Sequence, residues 1–198
     1  MDIADLVGQM TKEIGQDGGF DMAKFTQARG ESMFPLWLLK HLPNMAAAHI
    51  SILHHAMGPS NTIVTACAAG TQAVGEAFRL IARGDTDAML AGGCDSRLDP
   101  QLLVAYNAMK AVSGSLRPPS EVSRPFDRER DGFVLGEGAA VLVLESLRTA
   151  KRRRAKIYAE IIGYGSSFDA YGITRPEPAG KGRALASLGA WRGAPVDP

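Results

Sequence analysis

Asn61-Thr62-Ile63-Val64-Thr65-Ala66-Cys67-Ala68-Ala69-Gly70 is the stretch that organises everything around it. Residues 61–65 are rich in β-branched side chains and short enough for a buried strand. Immediately afterwards Val74, Ala77, Phe78 and Ile81 recur at helical spacing, which predicts a helix over about Thr71–Arg83, with Gly84 where a C-terminal cap belongs. Cys67 therefore falls at a junction of strand end and helix start. There the positive end of the helix dipole and several backbone N–H groups favour the thiolate, the nucleophilic form. Small neighbours (Ala66, Ala68, Ala69, Gly70) would let a substrate carbonyl approach, and the Cys67 N–H could help hold an oxyanion. Spacing alone leaves a second reading open, a buried structural cysteine.

Upstream, Asn44 reads as the cap of a helix through Ala56, halted by Gly58-Pro59. Met33–Leu42 is strongly apolar and ends at Pro43. Before Arg29 the chain says least: Ile3, Leu6, Val7 and Met10 are helically spaced, and Gly15 to Gly19 reads as the stop. Downstream, Ala88–Ala91 reads as a buried strand closed by Gly92-Gly93, and Asp99-Pro100 opens a helix to about Met109. Ser113–Pro125, rich in Pro, Ser and Arg, reads as a long loop. Ala139–Glu145 is apolar on both faces and predicts a further strand, followed by a basic helix, Ser146–Ala155. Ile157–Gly163 predicts one more strand, and Leu188–Pro198 has no apolar period. Alternating strands and helices with doubly apolar strands imply an α/β fold, its sheet covered by helices on both sides.

The 198 residues carry 22 Lys+Arg against 21 Asp+Glu, a net charge of +1, which argues against nucleic-acid binding by bulk charge. No run of 18 apolar residues and no secretory start is present, so the expectation is a soluble, cytoplasmic protein. Two cysteines make neither a disulfide scaffold nor a metal cluster, and Cys94, after its glycine pair, reads as structural. His41, His49, His54 and His55 all precede Cys67; His54 and His55 are adjacent, diverge on a helix, and read as core or surface residues, not ligands. Lys151-Arg152-Arg153-Arg154 with Lys156 reads as a solvated helix face, and the mixed charges from Arg124 to Asp131 as ion pairs pinning a loop.

Taken together, these segments resemble the elongating β-ketoacyl-acyl-carrier-protein synthases of the thiolase-like superfamily. The resemblance rests on Thr65-Ala66-Cys67-Ala68-Ala69-Gly70, Ala91-Gly92-Gly93, Ser123-Arg124-Pro125-Phe126-Asp127 and Arg130-Asp131-Gly132-Phe133-Val134-Leu135-Gly136-Glu137-Gly138-Ala139. Ile157-Tyr158-Ala159-Glu160 and Ser166-Ser167-Phe168-Asp169-Ala170-Tyr171 extend it in the same order. It implies a partial thiolase-like layered α/β fold, mainly the later part of the family's N-terminal half. Residues 1–34 form a segment without assignment, 35–182 the synthase-type domain, and 183–198 a tail outside the family pattern, as from a frameshift or an incomplete reading frame.

The resemblance also implies an activity: acyl transfer from acyl carrier protein to a cysteine, then decarboxylative condensation with malonyl-carrier protein in fatty acid or polyketide synthesis. By matching positions, Cys67 is the acylated nucleophile and Thr174 meets the phosphopantetheine arm. Lys110 faces the acidic carrier protein, and Trp37 lies near the acyl pocket and dimer interface. No bound cofactor is implied, since substrates ride on the carrier's phosphopantetheine, and complete members are homodimers. Many members carry His where Gly172 stands. The family's second half also supplies two histidines, in His-Gly-Thr and Gly-His motifs, and a lysine that no residue here matches. Two other readings remain: a thiolase-fold enzyme using coenzyme A thioesters, disfavoured by the Arg-Pro-Phe-Asp and Arg-Asp-Gly-Phe motifs, and a non-catalytic partner of a full synthase.

Overall fold

A computed structural model describes residues 19–32 and 36–194. The chain divides into two compact units, Met1–Thr62 and Ile63–Pro198. The helical pattern at Ile3–Met10 lies outside the described residues.

In the first unit, helix α1 spans Met22–Ser32. Its start is set by Asp21, whose carboxylate accepts from the Lys24 amide at 3.0 Å, an N-terminal cap that the sequence reading passes over. A short 3-10 turn, Trp37–His41, precedes helix α2, Met45–His54. Asn44 occupies the cap position of α2, yet its side chain makes no cap hydrogen bond. The helix also stops before Gly58-Pro59. His55 adopts the left-handed conformation (φ 51°), and the Ser51 hydroxyl donates to the Ala56 carbonyl at 2.5 Å.

The second unit is layered. Strands β1 (Ala88–Ser96) and β2 (Glu137–Glu145) pair antiparallel, with Ala91 opposite Leu142 and Cys94 opposite Ala139. Helix α3, Ala69–Arg83, packs on this sheet, ending at Gly84 with φ 82° as its cap pattern requires. Val74, Phe78 and Ile81 are half-buried and Ala77 buried, so the apolar face read from the sequence is the packed one.

Gly92-Gly93 does not close β1; the strand runs through both glycines. A β carbon on Gly93 would stand 3.4 Å from the Gly70 Cα, an ordinary contact, whereas one on Gly92 would collide with the Ala140 carbonyl of β2. A second face of α3 receives the segment after Gly163. A β carbon on Gly75 would collide with the Tyr164 ring, and Arg79 lies 4.7 Å above that ring. On its far side, β carbons on Gly163 and Gly165 would collide with the Ala190 and Ala186 carbonyls of helix α6, Lys181–Arg192. The order is thus sheet, α3, extended segment, α6.

Three expectations are corrected. Neither 61–65 nor Ile157–Gly163 is a strand; both lack a partner strand among the described residues, and β propensity without a neighbouring ladder makes no sheet. Among the described residues, helices do not cover both sheet faces: Leu90, Val141 and Val143, on the side away from Ala91, are 41%, 48% and 64% exposed. Leu188–Arg192 is not irregular but the end of α6, whose Ala184, Leu185, Ala186 and Leu188 are strong helix formers.

Helix α4, Pro100–Ala108, is capped by Asp99, which accepts from the Gln101 and Leu102 amides at 2.8 and 3.2 Å. Helix α5, Leu147–Arg152, starts at Ser146, which accepts from the Thr149 amide, and ends short of the Ala155 expected. Its basic run is solvated, with Arg153 bonded to Glu145 and Lys156 over Tyr158.

Candidate active site

The chain enters the site through Ile63–Thr65, which belong to no helix or strand, and turns sharply. Thr65 has φ −131° and Ala66 φ +49°, a left-handed backbone that a residue with a β carbon adopts at a cost of about 1 kcal/mol or more. A 3-10 turn, Ala66–Ala68, follows, closed by the Ala68 amide donating to the Thr65 carbonyl at 3.2 Å. Cys67 is the middle residue of that turn. Its thiol is free and exposed, directly before the first turn of α3. No side chain caps α3 and no acidic residue stands in its first turn, so the dipole end beside Cys67 is not offset by a carboxylate from its own helix. Cys67 therefore sits one short turn ahead of the α-helix proper, held out by a strained alanine.

Three polar residues brace this turn. The Thr65 hydroxyl donates to Gln72 Oε1 at 2.5 Å, and Gln72 Nε2 donates to the Ser166 hydroxyl at 3.0 Å. The sequence reading quotes Thr65 and Ser166 only within motifs and gives none of the three a part at the site; Gln72 lies five residues past Cys67, a spacing that marks no motif. Ser166 arrives through the segment that Tyr164 wedges against Gly75.

The other expected residues lie elsewhere. Lys110 is exposed two residues past the end of α4, with φ +54°. Thr174 is exposed on a bend between Asp169, which accepts from the Glu177 amide at 3.0 Å, and α6. The backbone of Trp37 opens the 3-10 turn of the first unit, while its side chain lies outside the described residues. Cys94 is not buried: it is exposed on β1. The four histidines are exposed, and among the described residues no group of three or more His, Cys, Asp or Glu could hold a metal.

The Arg124–Asp131 charges do pin a loop. The guanidinium of Arg124, 15% exposed, lies 3.9 Å from both Glu129 and Asp131 and donates to the Glu129 carbonyl at 2.9 Å. Asp131 accepts from the Ser113 hydroxyl at 2.7 Å and the Gly114 amide at 3.1 Å; the Ser113 bond foremost holds its carboxyl below the ordinary value. Gly132, at φ +149°, would place a β carbon 2.7 Å from the Ser113 nitrogen, so only glycine fits between these strands of the loop.

Residues 4–150 match the family described as β-ketoacyl synthase, N-terminal domain. This chain belongs to that family. Among curated β-ketoacyl synthase relatives, the mitochondrial 3-oxoacyl-[acyl-carrier-protein] synthase of Arabidopsis thaliana is 46% identical over 167 residues, which are 84% of this chain and 36% of that protein. The 3-oxoacyl-[acyl-carrier-protein] synthase 2 of Rhizobium meliloti is 49% identical over 149 residues, 75% of this chain and 35% of that protein. The chain thus spans about a third of the length of these relatives.

Solved structures agree. A ketosynthase of a type II polyketide synthase, in complex with its acyl carrier protein and bound to the hexaketide, superposes with a TM-score of 0.81 at 32% identity, covering 99% of this chain and 47% of that one. A β-ketoacyl synthase from Burkholderia phymatum gives 0.71 at 34% identity, covering 87% and 43%. The layered α/β architecture is accordingly part of the thiolase-like fold of the ketosynthases.

Proposed function

We propose that this chain carries the acyl-accepting half of a β-ketoacyl-acyl-carrier-protein synthase, an acyltransferase of fatty acid or polyketide synthesis working in the cytoplasm. The observation that carries the reading is Cys67 itself, a free, exposed thiol presented by a strained turn at the start of α3. In the first transfer its sulfur attacks the thioester carbonyl of an acyl group on the carrier's phosphopantetheine. The tetrahedral oxyanion collapses, the phosphopantetheine thiol departs with a proton, and the acyl group remains on Cys67. Backbone N–H groups at the turn are the donors at hand for that oxyanion. Thr174 meets the phosphopantetheine arm, Trp37 borders the acyl chain, and Lys110 faces the acidic carrier. No separate cofactor enters the reaction.

The second transfer asks more. Carbon dioxide leaves the malonyl group, and the resulting carbanion attacks the Cys67 thioester, releasing the thiolate and a β-ketoacyl product two carbons longer. Preorganised donors for that negative charge are worth about 100- to 1000-fold each, and in the family two histidines supply them. This chain's histidines all precede Cys67 and match neither motif. The 198 residues alone are therefore expected to accept an acyl group and not to condense it. A single-turnover assay with labelled acyl- and malonyl-carrier protein tests both halves. Transfer of label to the chain without β-ketoacyl product is the expected result; product at the rate of an intact synthase, or no transfer, contradicts it. Lys110→Glu is expected to weaken carrier binding at low salt, and less as salt rises, since exposed charges are screened over about 10 Å at 0.1 M.

A further inference from the structure

Thr65 touches the Cys67 turn twice over. Its carbonyl closes the turn by accepting from the Ala68 amide at 3.2 Å, and its hydroxyl leaves the turn to meet Gln72 at 2.5 Å. Gln72 stands on α3, and its amide nitrogen reaches Ser166 at 3.0 Å. Between Thr65 and Cys67 lies only Ala66, whose φ of +49° persists only if the backbone on both sides is fixed. The downstream side is fixed by α3. On the upstream side the chain from 61 to 65 has no ladder partner among the described residues, so the Thr65 side chain supplies the hold.

We infer that Gln72 is a positioning residue for the nucleophile: it anchors Thr65 to α3 and to the Ser166 segment, and so keeps Ala66 left-handed and Cys67 presented. The inference deepens the acyl-acceptor reading and rests on it. An amide suits the post because its oxygen accepts from Thr65 while its nitrogen donates to Ser166. Alanine keeps neither bond. At position 65 serine keeps the hydroxyl donor and valine does not.

The test compares Cys67 with Cys94 in the same 198-residue chain. Iodoacetamide labelling, mapped by peptide, gives the ratio of the two rates and so cancels general loosening. Gln72→Ala is expected to lower the Cys67:Cys94 ratio at least threefold, Thr65→Val by a similar factor, and the double variant no further, because the two act through one contact. Thr65→Ser, which keeps the hydroxyl and adds no charge, is expected to hold most of the ratio. An unchanged ratio in both Gln72→Ala and Thr65→Val overturns the inference, as does an additive double variant or a Thr65→Ser ratio as low as that of Thr65→Val. Acyl transfer from carrier protein is measured alongside. Loss of transfer in the unsubstituted chain defeats the acyl-acceptor reading, whereas normal transfer with unchanged ratios in the variants defeats only the role of Gln72.

Discussion

Around α3, neighbours meet where side chains are missing: Gly75 under Tyr164, Gly163 and Gly165 against α6. The loop from Ser113 to Asp131 is built the other way, from Arg124, Arg117, Glu129 and Asp131 with hydroxyl and amide bonds between them. Close backbone approach tolerates almost no added volume, while ionic ties in contact with water tolerate substitution and respond to pH and salt. The contrast assigns rigidity to the layer that presents Cys67 and adaptability to the loop that carries the family's Arg-Pro-Phe-Asp motif.

Gly75→Ala presses hardest on this contrast. In an isolated helix the change would gain up to about 1 kcal/mol; against the Tyr164 ring it overpacks, and a net loss of about 2 kcal/mol is expected in denaturant unfolding. Combining it with Tyr164→Ala should cost less than the sum of the two single changes. Stabilisation by Gly75→Ala would mean that α3 and the Tyr164 segment are not packed as described.

Arg124→Ala should cost less, about 1 kcal/mol, through loss of charge-assisted bonds. Its effect should stay local, as faster proteolysis between Ser113 and Asp131 with Cys67 labelling unchanged. A fall in Cys67 labelling would join the two regions and break the contrast.

The smallest effect is that of acid. Asp131 is held below its ordinary value first by the Ser113 hydroxyl, and Glu145 first by the hydrogen bonds from Arg153. Both carboxyls are lowered in the folded chain, so their contribution is complete above the unfolded value of about 4 and fades as pH falls through the lower folded value. Asp131 is exposed, and Glu145, itself half-buried, pairs with the exposed Arg153, so the change is slight and screened by salt. The NMR shift of the Gly114 amide, bonded to Asp131 at 3.1 Å, should titrate below the ordinary carboxylate midpoint and return toward it in Ser113→Ala. A normal midpoint in the unsubstituted chain would mean that the clamp is open in solution.

Much of the fold was legible because it depends on local rules. The apolar spacing of α3 and its Gly84 cap, the Asp99-Pro100 start of α4 and the apolar run of β2 are each settled within a few residues. What escaped depends on distant neighbours. The stretches 61–65 and Ile157–Gly163 have the composition of strands but no ladder partner among the described residues. Gly92-Gly93 looks like a strand terminator unless the Ala140 carbonyl of β2 is known to lie against it. At the site, Cys67 was legible from its position and its small neighbours, and more so from the motifs around it. Ala66's left-handed turn and the Thr65–Gln72–Ser166 bridge were not, since a link from residue 72 to residue 166 leaves no local pattern.

The central claim is that Cys67 is the acyl acceptor. Incubation of the chain with acyl-carrier protein, followed by peptide-resolved mass spectrometry, reads it at a single sulfur. The account predicts a thioester on the Cys67 peptide, none on Cys94, and complete loss of acylation in Cys67→Ala. Acylation of Cys94, or acylation that survives Cys67→Ala, would contradict it.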